Sequence, residues 1–253
     1  MTKANKAIFL HHSTGQTVLR GDVSKVSWKI FKEGSFIKWL KAYNKKNNSD
    51  FVIDEMPFPK KEPYGWRNQP IDYYNIWVRN AGDKPFMEEP TLEMLTKEYG
   101  LIIFKHCYPV SSIEPDSDTA NIESEKKQLQ NYKLQYEALK AKMKSFPETK
   151  FLVWTGATHV KANTTEEQAL RMKEWTEWVK NVWDEKGDNI FLWDFYELET
   201  EGGLYFKDEY ASSPKDSHPS KPFAGSMAPL FGQRIIDVMT GKGDTGSLTG
   251  KSS

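Results

Sequence analysis

A chain of 253 residues can bury one full-sized core or two small ones. Lys and Arg balance Asp and Glu at 35 each, so no net field draws the chain to nucleic acid or an anionic membrane. No stretch approaches the roughly 20 apolar residues of a membrane span. The single cysteine, Cys107, excludes an internal disulfide and fits a reducing compartment. The segment Lys3-Ala4-Asn5-Lys6 leads into about four apolar residues, too few for a signal h-region. A cytoplasmic chain is expected, or an exported one whose leader has been removed.

Five short apolar runs read as buried strands: 7–10, 51–53, 101–104, 151–154 and 190–193. Each is short and β-branched or aromatic in character. The first opens into His11-His12-Ser13-Thr14-Gly15. Between the runs lie helical patterns at 35–46, 91–99, 123–146 and 165–186, and a last one follows at about 223–239, with Pro229 bending it or marking its start. Thr164, three before Glu167, suggests a capping box for the fourth. Strands alternating with helices imply right-handed crossovers and a parallel sheet. The segment 57–83 breaks the alternation. It is long and rich in Pro, Gly, Tyr and Trp, and long irregular loops in compact domains are usually functional. It is expected to cover the carboxyl edge of the sheet and to line a cleft through some of Tyr64, Trp66, Tyr73, Tyr74 and Trp77. The tail 241–253 is Gly, Ser, Thr and Lys with little to bury and is expected to be disordered. The remaining 1–240 reads as one domain.

The histidines carry the functional argument. His11 and His12 follow the first strand, His106 the third and His159 the fourth, and His218 lies between the fifth strand and the last helix. In a parallel sheet these positions open onto one edge, the edge where α/β proteins bind ligands. Asp216-Ser217-His218-Pro219 offers a carboxylate that can orient an imidazole and stabilise its cation. With Ser13 it supplies a nucleophile, a base and an orienting group. Taken singly, Ser13 and Thr14 are also ordinary helix-capping residues, and Asp, Ser and Pro are ordinary turn residues.

With Phe9-Leu10-His11-His12-Ser13-Thr14-Gly15 at one end and Asp216-Ser217-His218-Pro219 at the other, the chain resembles the SGNH (GDSL-like) hydrolase superfamily. The resemblance covers about residues 6–240 and implies a flavodoxin-like three-layer α/β/α sandwich around a five-stranded parallel sheet. It implies hydrolysis of small-molecule or carbohydrate esters, O-acetyl sugars among them, without a cofactor. Ser13 would be the nucleophile, His218 the general base and Asp216 its partner. The chain departs from the family pattern in four places. His11-His12 stands where Gly-Asp is usual. Asp216 and His218 are two residues apart and not three. His106-Cys107-Tyr108 occupies the region of the family asparagine, and Gly65 is the candidate for the glycine after the second strand. Candidate oxyanion and substrate groups are therefore Gly15, His12, His106, Gly65 and Trp66, with the backbone N–H of Ser13. No Gly-x-Ser-x-Gly elbow follows a strand, which sets the chain apart from α/β-hydrolases.

Two other classes compete. Five histidines are enough imidazoles for zinc, but there is no His-Glu-x-x-His, and the adjacent His11 and His12 should point to opposite faces of a strand. A non-catalytic carbohydrate-binding or scaffold protein on the same fold would also carry the aromatic 57–83 segment.

Overall fold

The computed structural model describes residues 2–31, 33–117 and 119–251. Five strands, β1 (Lys6–His11), β2 (Val52–Pro57), β3 (Leu101–Phe104), β4 (Lys150–Trp154) and β5 (Ile190–Trp193), pair in parallel in the order β2-β1-β3-β4-β5. The protein is an α/β/α sandwich, as the alternation of strand and helix patterns implied. Side chains alternate across the sheet with a period of two. Ile8, Leu10, Ile102 and Phe104 enter one core, which Leu92, Tyr132 and Trp175 close. Ala7, Phe9, Leu101 and Ile103 enter the other, closed by Val18, Phe36 and Phe231. Both faces are covered, so the central strands read as unbroken apolar runs. Each buried Val, Leu, Ile or Phe side chain contributes roughly 1.5–3 kcal/mol by leaving water.

On the second face lie α1 (Ser13–Arg20), α3 (Ser35–Asn47) and α9 (Lys221–Met239), with α2 (Lys25–Phe31) between the first two in sequence. Gly232 lets α9 approach α3, since a Cβ there would lie 2.2 Å from the Trp39 ring. On the first face lie α4 (Pro70–Tyr74), α5 (Leu92–Glu98), α6 (Leu129–Lys144) and α7 (Glu166–Trp178); α8 (Phe195–Thr200) follows β5 directly. A small antiparallel hairpin, β6 (Ala211–Ser213) and β7 (Asp216–Pro219), precedes α9.

Three expectations are corrected. Helix α6 begins at Leu129 and not near residue 123. The Glu123 N–H bonds to Asn121 Oδ1, and Gln135 Nε2 donates to the carbonyls of Ile122 and Ser124. These side-chain bonds satisfy the backbone without a helix. The capping box of α7 is Thr165 with Gln168, one residue after the expected pair. Segment 241–251 is held against the sheet. The Leu248 carbonyl accepts from the Asp194 N–H at 2.8 Å, the Thr249 carbonyl from Trp193 Nε1 at 3.1 Å, and the Gly243 carbonyl from Arg234 Nη1 at 2.8 Å. Its composition lacks bulk, but its backbone carbonyls serve donors that burial would otherwise leave unpaired. Ser252 and Ser253 of the expected tail lie outside the described residues. Pro229 sits inside α9, forgoing one backbone bond without ending the helix.

Candidate active site

Strand β1 lies between β2 and β3, where the strand order reverses. The loop leaving its carboxyl end therefore opens into the crevice where such sheets hold ligands. The chain turns there at once. His12 is extended at the N-cap of α1, and Ser13 is the first helical residue. The His12 side chain does not cap this helix, and the partial positive charge of its N-terminus lies beside the Ser13 hydroxyl, with the Thr14 N–H turned to the Cys107 thiol. Gly15 makes the tight turn possible. A Cβ there would lie 2.5 Å from His11 Cβ and 2.9 Å from Phe9 Cζ, so α1 packs on its own strand with no room for a side chain.

The hairpin brings the other half. Residues alternate along β7, so Asp216 and His218 share one face and Ser217 takes the other. Ser217 is fully buried, and its Oγ accepts from the Val160 N–H at 3.1 Å and lies 3.3 Å from His159 Nδ1, which ties the hairpin to the loop after β4. On the opposite face, His218 Nδ1 donates to Asp216 Oδ1 at 2.6 Å, and the same oxygen accepts the His218 N–H at 3.0 Å. The two-residue spacing thus fixes the ring through both side chain and backbone. With Nδ1 as donor, Nε2 accepts from the Ser13 hydroxyl at 2.9 Å. The edge of Tyr108 meets the His218 ring at 88°, with centroids 4.9 Å apart. The structure brings Ser13, His218 and Asp216 into one hydrogen-bonded line.

Other candidates fall elsewhere. Burial in the first core pushes the His106 ring down to about 3. Its Nδ1 donates to the Asn68 carbonyl at 2.9 Å, and it packs against Tyr73, Tyr136 and Trp175. Its neutral ring has no proton left to offer an oxyanion. His12 is likewise lowered by burial, to about 4, and its Nε2 donates to the Pro59 carbonyl at 2.6 Å. Neutral His12 can shape the site but not donate into it. The Gly65 N–H is bonded to the Lys60 carbonyl. In the 57–83 segment, Tyr73 and Trp77 are core residues and Tyr64 is bonded to Asp72 and Asn75. Trp66 is half exposed, stacks on His12 at 4.0 Å, and with Ser13, Gln16 and Pro57 lines a hollow of about 110 Å³.

His11 places its Nδ1 2.9 Å from the His12 carbonyl and its Nε2 3.0 Å from Glu55. His159 is bonded through Nε2 to Ser112 and is lowered to about 4 by burial. The five rings thus meet different partners. Among the described residues, no group of three or more His, Cys, Asp or Glu is placed to hold a metal ion, and no helix is long and apolar enough to cross a membrane.

No protein-family model matches the sequence, and no curated protein matches it. Among solved structures, the chain is similar to a gut microbial diltiazem-metabolizing enzyme at 15% identity and a TM-score of 0.47. That match covers 93% of this chain, which spans just under half (46%) of the other.

Sequence reasoning missed a second feature of the site. A cleft of about 280 Å³ opens on the other side of Ser13, lined by Gln16, Thr17, Arg20, Ser212, Asp216 and His218. Ser13, Gln16, Thr17 and Arg20 follow the i, i+3, i+4, i+7 spacing of one helical face. That polar stripe was visible in the sequence, but no helix was assigned to 13–20 to give it meaning.

Proposed function

We propose that the chain is a serine ester hydrolase of SGNH type, with Ser13 as nucleophile, His218 as general base and Asp216 as the group that orients His218. The observation that carries this reading is the line Asp216 Oδ1–His218 Nδ1–His218 Nε2–Ser13 Oγ, at 2.6 Å and 2.9 Å. Those separations lie within the reach that proton transfer requires. In the first half-reaction, Ser13 Oγ attacks the ester carbonyl carbon as His218 Nε2 takes the hydroxyl proton. The negative charge that forms on the carbonyl oxygen meets the N-terminus of α1, where the Ser13 backbone N–H is the nearest donor in sequence. Collapse expels the alcohol, which receives the proton from His218. Water, deprotonated by the same ring, then attacks the acyl-enzyme and releases the acid, leaving Ser13 free. Asp216 holds the tautomer with Nε2 unprotonated and stabilises the imidazolium formed in each half-reaction.

Carbohydrate O-acetyl esters are the proposed substrate class. The half-exposed Trp66 beside Ser13 supports this reading, because an aromatic face next to a nucleophile suits a sugar ring. The test is release of p-nitrophenol from p-nitrophenyl acetate, and of acetate from acetylated sugars, by wild type, Ser13→Ala and His218→Ala. Turnover that falls by three orders of magnitude or more in both folded variants supports the reading. Undiminished turnover in either one overturns it.

A further inference from the structure

The 280 Å³ cleft beside Ser13 and His218 is also lined by Arg20. Arg20 is only 9% exposed. Its Nε is buried without a hydrogen-bond partner, and no acid among the described residues forms an ion pair with its guanidinium. The nearest acid in sequence, Asp22, accepts from the Ser35 hydroxyl instead. Asp216, in the same cleft, accepts from His218. Burial lowers the Arg20 pKa, yet a guanidinium stays protonated. A charge taken out of water is costly unless a partner meets it. Arg20 lines the same cleft as Ser13 and His218.

The helix sets the spacing. Arg20 is seven residues after Ser13, which places it two turns away on the same face, about 10 Å along the axis at 1.5 Å per residue. Gln16 and Thr17 line the path between them. The Arg20 backbone is fixed from behind: Ser35 Oγ lies 3.3 Å from its carbonyl, and Gly34 packs so close that a Cβ there would lie 2.7 Å from Arg20 Cα.

We propose that Arg20 is a specificity residue that binds an anionic group of the substrate, a carboxylate or phosphate carried within about two helical turns of the ester bond. This deepens the esterase reading and rests on it. The planar fork of a guanidinium pairs with two oxygens at once, so the anion supplies the partner that the protein does not. It also fixes which way the ester lies across Ser13.

The experiment compares two matched pairs. Mono-p-nitrophenyl suberate against its methyl ester places the charge on the acyl side. 3-(4-Acetoxyphenyl)propionate against its amide places it on the leaving-group side. The readout is the ratio of kcat/KM for the charged and neutral members in wild type, Arg20→Gln and Arg20→Lys, each checked for folding by circular dichroism. We expect a ratio of tenfold or more in one pair, near unity in Arg20→Gln and partly restored in Arg20→Lys. The pair that responds identifies the side that carries the anion. Ratios near unity in wild type overturn the proposal, and so does an Arg20→Gln variant that lowers both members alike.

Absence of all turnover would contradict the esterase reading. The cation site is then read by calorimetry with monomethyl suberate and with 3-(4-hydroxyphenyl)propionate. Binding of either that is lost in Arg20→Gln sustains the site, and no binding of either to wild type overturns it.

Discussion

At the residue scale, the proposed chemistry depends on where one proton sits. His218 Nδ1 holds it toward Asp216, which leaves Nε2 to receive the Ser13 proton. Asp216→Asn can present an amide N–H to Nδ1 and so favour the wrong tautomer; kcat is expected to fall by about 10²–10⁴, measured on p-nitrophenyl acetate with the fold checked by circular dichroism. A second prediction concerns stability. Burial lowers the His159 ring to about 4, below the roughly 6.5 of a free imidazole. Between those values the unfolded ring binds a proton that the folded ring does not, so acid favours unfolding. Its contribution is absent above pH 6.5 and grows as pH falls toward 4, at about 1.4 kcal/mol per pH unit. His159→Gln should flatten the pH dependence of urea stability by about that slope. An unchanged slope would contradict the burial argument. That Ser13, His218 and Asp216 lie together was legible in the sequence, because a serine just after the first strand and an Asp/His pair ahead of the last helix mark recognisable boundaries. Arg20 was not, because an arginine on a short helix carries no signal until its lack of a partner is seen.

At the scale of elements, α1 is placed by the small residue that lets it sit on β1. Gly15→Ala forces a methyl group to within 2.5 Å of His11 Cβ. The helix must lift, and Ser13, two residues earlier, moves with it. We expect a loss of about 1–3 kcal/mol in stability from overpacking and a larger relative loss in kcat/KM, measured by urea denaturation and ester hydrolysis. Equal activity in a destabilised variant would show that Ser13 does not depend on the α1–β1 contact. The five strands were legible because apolar runs of three or four residues flanked by polar turns have few alternatives. The start of α6 was not, since the polar residues ahead of it, Asn121 and Ser124, satisfy the backbone locally. The β6–β7 hairpin was also hidden, for its strands Ala211–Ser213 and Asp216–Pro219 are short and polar and gain order from Ser217 and its neighbours.

For the whole molecule, the sheet order makes the site a meeting of chain ends: β1 delivers Ser13, and the hairpin before α9 delivers His218, 205 residues later. Segment 241–251 closes the outer side of β5 through Trp193, Asp194 and Arg234. Removing residues 241–253 strips partners from buried donors and opens an edge strand. Such a truncation is expected to lower Tm by several degrees and to promote aggregation on heating; an unchanged melting curve would show that the segment contributes nothing. The measurement closest to the central claim is intact-protein mass spectrometry after treatment with a fluorophosphonate, followed by peptide mapping, on wild type, Ser13→Ala and His218→Ala. The account predicts one adduct, on Ser13, absent from Ser13→Ala and formed far more slowly in His218→Ala. An adduct on another residue, or a folded wild type that takes up none, would contradict it.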